Sequence, residues 1–186
     1  SPVRADTGGG DDTQPSGLDP RDECPVYASS AESCDLRRNQ LLAALPEADW
    51  QRLWPQLEAV DLMAGQVLCE PGIPLTAVVF PITAIVSLLY LTQDGASSEL
   101  AVVGNDGVVG IALFMGGQAT TSRAVVQSAG RAWRLRAASL QCEVERGGPL
   151  LECLLSYTQA LMGQVMQTAA CNRHHSIDQQ LCRRLL

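Results

Sequence analysis

The chain contains no lysine; all 13 of its basic residues are arginine. That excludes a Schiff-base lysine and the phosphate-binding lysine of a P-loop, and with them many enzyme classes. Histidine is nearly missing as well: His174 and His175 are the only two, adjacent and close to the C-terminal end. The seven cysteines are odd in number, irregularly spaced and without a CxxC pair. No signal peptide opens the sequence, so a reducing cytoplasm is the expected location. Cys24, Cys34 and Cys69 lack the tight spacing of iron–sulfur ligands. No cofactor and no catalytic residue are expected.

Charge is unevenly spread. Residues 1–35 hold eight acids against two arginines, a net −6, whereas the other 151 residues carry twelve acids and eleven arginines. The tail is also rich in Gly, Asp, Ser and Pro, too poor in large apolar residues to offset the entropy of ordering, and is expected to be disordered. A near-neutral body is neither a general nucleic-acid binder nor a membrane-surface binder. The chain starts without Met and stops inside an apolar run, and is expected to be a fragment.

One run, "PGIPLTAVVFPITAIVSLLYLTQ" over 71–93, is uncharged and long enough for a membrane-spanning helix. Pro71, Pro74 and Pro81 and the many β-branched residues argue instead for buried strands. No membrane partner is expected.

Before this run, "NQLLAALPEADWQRLWPQLEAVDL" holds two short helices. Leu41, Leu42 and Leu45 form an apolar turn, Pro46 starts the second helix, and Trp50, Leu53, Trp54 and Leu57 follow helical spacing. From Ala59 to Arg136 the period changes. Apolar runs at Val67–Cys69, Ala77–Phe80, Ile85–Leu91, Leu100–Val103, Arg123–Gln127 and Ala132–Leu135 alternate with turn signals, which predicts an antiparallel sandwich or barrel. Metal-binding cupins share that shape but need clustered histidines on their strands, and here there are none. A short helix over 138–145 ends at "RGGP". Pro149 then opens a long helix in which Leu151, Leu154, Thr158, Leu161, Val165 and Thr168 form a three-four seam suited to a partner helix, giving a homodimer. Leu155, Met162 and Met166 are expected to face the barrel.

This order of parts, with the strings "NQLLAALP", "LEAVDLMAGQVLCEPG", "VVFPITAIVSLL", "AVVGNDGVVGIALFMGG", "SRAVVQSAG" and "CNRHHSIDQQLCRRLL", resembles the sensor half of Crp/Fnr-type bacterial transcription regulators. The similarity covers about residues 39–186 and is nearest a branch without the usual cyclic-nucleotide signature. The resemblance implies an α+β, mainly β fold: a double-stranded β-helix or jelly-roll barrel of cyclic-nucleotide-binding type with N-terminal helices and a long C-terminal dimerisation helix. It implies a tail (1–35), a sensor domain (36–148), a dimerisation helix and hinge (149–175), and the start of a winged helix-turn-helix (176–186) truncated before its recognition helix. It also implies an unknown small-molecule effector and DNA as a partner through the missing domain. Rival readings are a stand-alone module binding a small ligand such as a cyclic nucleotide, and a cysteine-based redox sensor.

In the nucleotide-binding members a Gly-Glu pair opens a phosphate loop and an Arg-Ser/Thr-Ala string closes it. A guanidinium and exposed backbone N–H groups suit a phosphate. The corresponding loop here is 110–125. Gly110 matches the glycine and Arg123 matches the arginine, unless Arg123 is simply a surface residue on a strand. Ile111 stands in place of the glutamate and Ala124 in place of the hydroxyl residue, so cyclic AMP binding is not expected.

The last stretch, Cys171 to Leu186, holds two cysteines and both histidines. On one straight helix Cys171 and Cys182 would lie roughly 16 Å apart, far beyond the reach of a shared metal at about 2 Å. Ser176 with Gln179 fits a capping box, which starts a new helix. Asn172, His174, His175 and Ser176 are therefore expected to form a hinge, with no metal.

Overall fold

The computed structural model describes residues 37–92 and 95–174, with 172–174 described by their backbone alone. The acidic tail, His175, the helix start at Ser176 and the segment 176–186 lie outside the described residues.

Helix α1 (Gln40–Ala43) is capped by Asn39, whose side-chain oxygen accepts from the N–H groups of Leu41 and Leu42. Pro46 occupies the position just before α2 (Glu47–Leu53), and Glu47 and Asp49 in the first turn suit the positive end of the helix dipole. Helix α2 passes into a 3-10 turn, Trp54–Gln56. Pro55 has no N–H to donate to the preceding turn, so the α-helix cannot continue. Leu57 therefore does not extend the helix, as its spacing had suggested; it opens strand β1 (Leu57–Leu62). This strand forms the edge of its sheet. Its charged Glu58 and Asp61 break up the apolar run that marks the others.

The remaining strands are β2 (Val67–Cys69), β3 (Ala77–Pro81), β4 (Ile85–Leu91), β5 (Ser97–Val103), β6 (Arg123–Ser128) and β7 (Gly130–Arg136). They form two antiparallel sheets ordered β1-β7-β3 and β2-β6-β4-β5, the jelly-roll arrangement expected. Two cores result. One lies between the sheets and is built from Val79, Val86, Val103, Val109, Val126 and Ala132. The other lies between the three-stranded sheet and the helices, with Leu53, Val78, Phe80, Leu135, Leu140 and Leu154. Strand β3 is covered on both faces: Val78 and Phe80 meet the helices while Val79 faces the barrel interior. Double coverage removes the need for alternation, which is why the 71–93 run mimics a membrane span. Among the described residues no helix is long and apolar enough to cross a membrane.

The three tryptophans gather in the helix-side core. Trp50 stacks on Trp54 at 6.3 Å, and Trp54 meets the edge of Trp133 at 5.9 Å. The methionines do the opposite: Met63, Met115, Met162 and Met166 are all exposed.

After α3 (Ala137–Arg146), helix α4 runs from Pro149 to His174 and contacts β5, α1 and α3. Its faces are the reverse of those expected from spacing. Leu154, Thr158 and Leu161, assigned to a partner helix, are buried within the chain itself, and Leu151, Val165 and Thr168 are half-buried. Leu155, Met162 and Met166, assigned to the barrel, are exposed. A three-four repeat defines an apolar face but not what covers it, and the more regular face went to the chain's own core. Asn172 and His174 fall in the described helix.

Candidate ligand-binding site

The segment after β5 turns back over the barrel. Val109 exchanges two backbone hydrogen bonds with Val79, at 2.8 and 3.0 Å, so the segment enters the sheet for a single residue. Gly110 then takes φ +101, and a Cβ there would sit 3.2 Å from Val78 Cγ1 and 3.3 Å from the Ala77 carbonyl. Only glycine accepts both the left-handed turn and the close approach. A 3-10 turn, Ile111–Leu113, follows. The returning loop is laced to the β2–β3 connection by Leu75 N–H to Gln118 O at 2.8 Å and Gly72 N–H to Thr120 O at 3.0 Å.

These elements enclose a cavity of about 330 Å³, lined by the segments 108–112, 115 and 117, the loop 119–122, and by Ala124, Leu88 and Cys69. None of the lining side chains is ionisable except Cys69. Burial pushes that thiol up to about 11, so it is neutral at physiological pH. Thr120, Thr121 and Ser122 form a hydroxyl rim, in which the Thr120 and Ser122 oxygens lie 3.0 Å apart and hydrogen-bond each other.

Of the four residues proposed for a ligand, Gly110, Ile111 and Ala124 border this cavity. Arg123 does not. Side chains alternate along a strand, so Ser122 and Ala124 face the cavity and Arg123 faces away. Arg123 Nη2 is held by Glu70 Oε1 at 2.9 Å. Its Nε is buried with no hydrogen-bond partner. Matching the arginine by sequence order put it one residue out of phase with the strand. A second cavity, of about 480 Å³, lies on the β1–β2–β3 side of Cys69 and carries Asp61, Glu70 and Arg134 in its lining. Among the described residues no group of three or more His, Cys, Asp and Glu could hold a metal ion.

Two side chains missed from the sequence tie the cavity to the helices. Tyr157 of α4 lies against Gly107, where an added Cβ would be only 2.6 Å from the phenol oxygen. Burial, with a smaller push from Asp106, raises this phenol to about 12, against a backbone hydrogen bond from Val108. Val108 is itself part of the cavity wall. Asn39 is fully buried. Its amide nitrogen donates to the carbonyls of Pro81 and Gly107, both at 2.9 Å. Both contacts join positions far apart in the chain, and no local spacing signals them.

Residues 59–146, a little under half of the chain, match the family model described as the cyclic nucleotide-binding domain. The barrel has the cyclic nucleotide-binding-domain fold. Solved structures repeat it. The regulatory subunit of a cAMP-independent protein kinase A from Trypanosoma brucei is 16% identical with a TM-score of 0.59, covering 68% of this chain and 46% of its own. DNR from Pseudomonas aeruginosa is 20% identical with a TM-score of 0.58, covering 76% and 63%. The c-di-GMP responsive global regulator CLP of Xanthomonas campestris is 14% identical with a TM-score of 0.61, covering 75% and 70%. The chain thus spans less than two thirds of the first two of these proteins. No curated protein sequence matches. Within this nucleotide-binding-type fold, the cavity at the 110–124 loop is the candidate site.

Proposed function

We propose that the chain is the effector-sensing and dimerisation region of a Crp/Fnr-like transcription regulator. Its barrel cavity signals through α4 to a DNA-binding domain beyond residue 186. The observation that carries the reading is the exposed stripe Leu155, Met162 and Met166 on a 26-residue helix. These positions recur on one helix face. Among the described residues they stay exposed, and a second copy would bury them against its own stripe. Val108 supports the signalling half: it lines the cavity and hydrogen-bonds Tyr157 of α4. A ligand that moves the wall therefore favours one helix position over another.

Sedimentation of the 186-residue chain tests the assembly. A dimer is expected, and Met162→Glu should convert it to a monomer with the barrel still folded. A wild-type monomer at high concentration would overturn the dimer. For the DNA-binding half, the coding sequence beyond Leu186 should continue into a helix-turn-helix; an immediate stop codon would favour the stand-alone module instead. A cysteine-based sensor draws no support from Cys69 or Cys153, whose thiols are pushed up by burial, Cys153 further by Glu152. A neutral thiol is a poor nucleophile.

A further inference from the structure

The geometry points to an uncharged, largely apolar small molecule as the occupant of the 110–124 cavity, and to exclusion of cyclic nucleotides from it. This inference rests on the effector-sensing reading and names the ligand class for that site.

Three observations carry it. First, no lining side chain is charged at neutral pH. A phosphodiester transferred there would lose its hydration with no cation to replace it, and an unpaired buried charge is strongly disfavoured. Second, Arg123 is engaged by Glu70, and neither residue lines the cavity. Turning Arg123 inward would break that pair and reverse the strand's side-chain phase. Third, the backbone offers little in compensation. Anion-binding loops aim successive N–H groups at the ligand. Here the N–H groups of Leu113, Phe114, Met115 and Gly117 all donate to carbonyls of Gly110, Ile111 and Ala112, within the loop itself. The side chain of Ile111, in the ribose-binding place, can accept no hydrogen bond.

What remains is apolar surface from Leu88, Val109, Ile111 and Ala124 with a rim of three hydroxyls. That combination suits a hydrophobic body with one neutral polar group. A volume of about 330 Å³ is at the small end of ligand sites. Met115, exposed at the cavity, provides an adaptable apolar edge.

The test uses N-phenyl-1-naphthylamine, a neutral apolar fluorophore, on the 186-residue chain, with cyclic AMP titrated separately by calorimetry. Saturable fluorescence enhancement with one site per chain is expected, and no heat from cyclic AMP. Ala112→Phe and Ala119→Phe fill the cavity from half-buried positions and should each weaken the probe by about tenfold or more, about 1.4 kcal/mol. Met63→Ala, on an exposed turn outside the cavity, should leave binding unchanged. Circular dichroism on each variant identifies any that has unfolded, and either folded filling variant suffices. Stoichiometric cyclic AMP binding, absence of probe binding, or probe binding indifferent to a folded filling variant overturns the inference. Met162→Glu separates this from the assembly reading. Probe binding retained by a monomer supports a cavity complete in one chain; loss of probe binding with a folded barrel overturns that. A wild-type monomer that binds the probe rejects the dimer and keeps the ligand class.

Discussion

Asn39 is a single buried side chain that joins three pieces of backbone. Its amide makes four hydrogen bonds: two accepted from the first turn of α1 and two donated to carbonyls at the ends of β3 and of the loop after β5. Truncation to alanine removes a helix cap and orphans two buried carbonyls. The expected loss of stability is about 2–4 kcal/mol, measured by urea unfolding. Asn39→Asp is the sharper variant, since it keeps the cap acceptor but turns a carboxylate towards the two carbonyls. It should lose at least as much as alanine, and a chain that tolerates Asp would show that the carbonyl contacts are unimportant. Nothing in the string "NQLLAALP" separates this role from an ordinary cap. A cap is written locally, whereas its second pair of bonds depends on the closed barrel. Arg123 teaches the same lesson in reverse. Its place in the chain matched a phosphate ligand, but its place in the strand's alternation sends it to Glu70.

Helices α2 and α3 are joined by one charged contact. Arg52 donates through Nε to both carboxylate oxygens of Glu143, at 3.0 and 3.1 Å, and also pairs with Asp49. The hydrogen bonds to Glu143 and then to Asp49 raise the guanidinium further above its already high value, so it stays charged at all working pH. The Glu143 side chain is only 5% exposed, and removing its partner leaves a buried carboxylate without a counter-charge. Arg52→Leu should lower Tm by roughly 5–10 °C. Adding Glu143→Leu should restore most of that fall, because an apolar pair needs no compensation. A double variant as unstable as the single one would show that the pair itself, and not the orphaned charge, stabilises the contact. Most elements were legible because their signals are local: six of the strands coincide with apolar runs between turn residues, and Pro149 marks the start of α4. Strand β1 was not. It is an edge strand with charged residues, and it directly follows a helix whose spacing ran on into it.

For the molecule as a whole, sheet closure brings opposite charges together across β1 and β7. Glu58 accepts from Arg134 Nε at 3.0 Å and from Arg136 Nε at 2.9 Å. The hydrogen bond from Arg134, then that from Arg136, holds the Glu58 carboxyl below its ordinary 4.5. A carboxyl whose folded value is depressed stabilises the fold above its unfolded value, and this contribution is lost as pH falls through the folded one. Thermal melts between neutral pH and pH about 3 should therefore show the barrel weakening below 4.5. Glu58→Gln should flatten that acid limb by lowering stability at neutral pH and leaving it unchanged in acid, by a small amount because the pair is exposed. An unchanged acid limb would remove Glu58 from the account. At this scale the architecture was readable: the order of periods along the chain limits it to an antiparallel sandwich or barrel flanked by helices, and the family resemblance implies the jelly roll. Which face of α4 meets the barrel was not, because both faces carry enough apolar residues to be buried and only the finished surface selects one.

The segregation of methionine to the surface has a practical side. Methyl-labelled methionine would give four signals, none from the core. Met115 would report on the cavity edge, Met162 and Met166 on the open helix face, and Met63, exposed and outside the cavity lining, would serve as an internal reference. Occupancy of the barrel and pairing of the helices would then be read from one spectrum, by separate reporters already in the native chain.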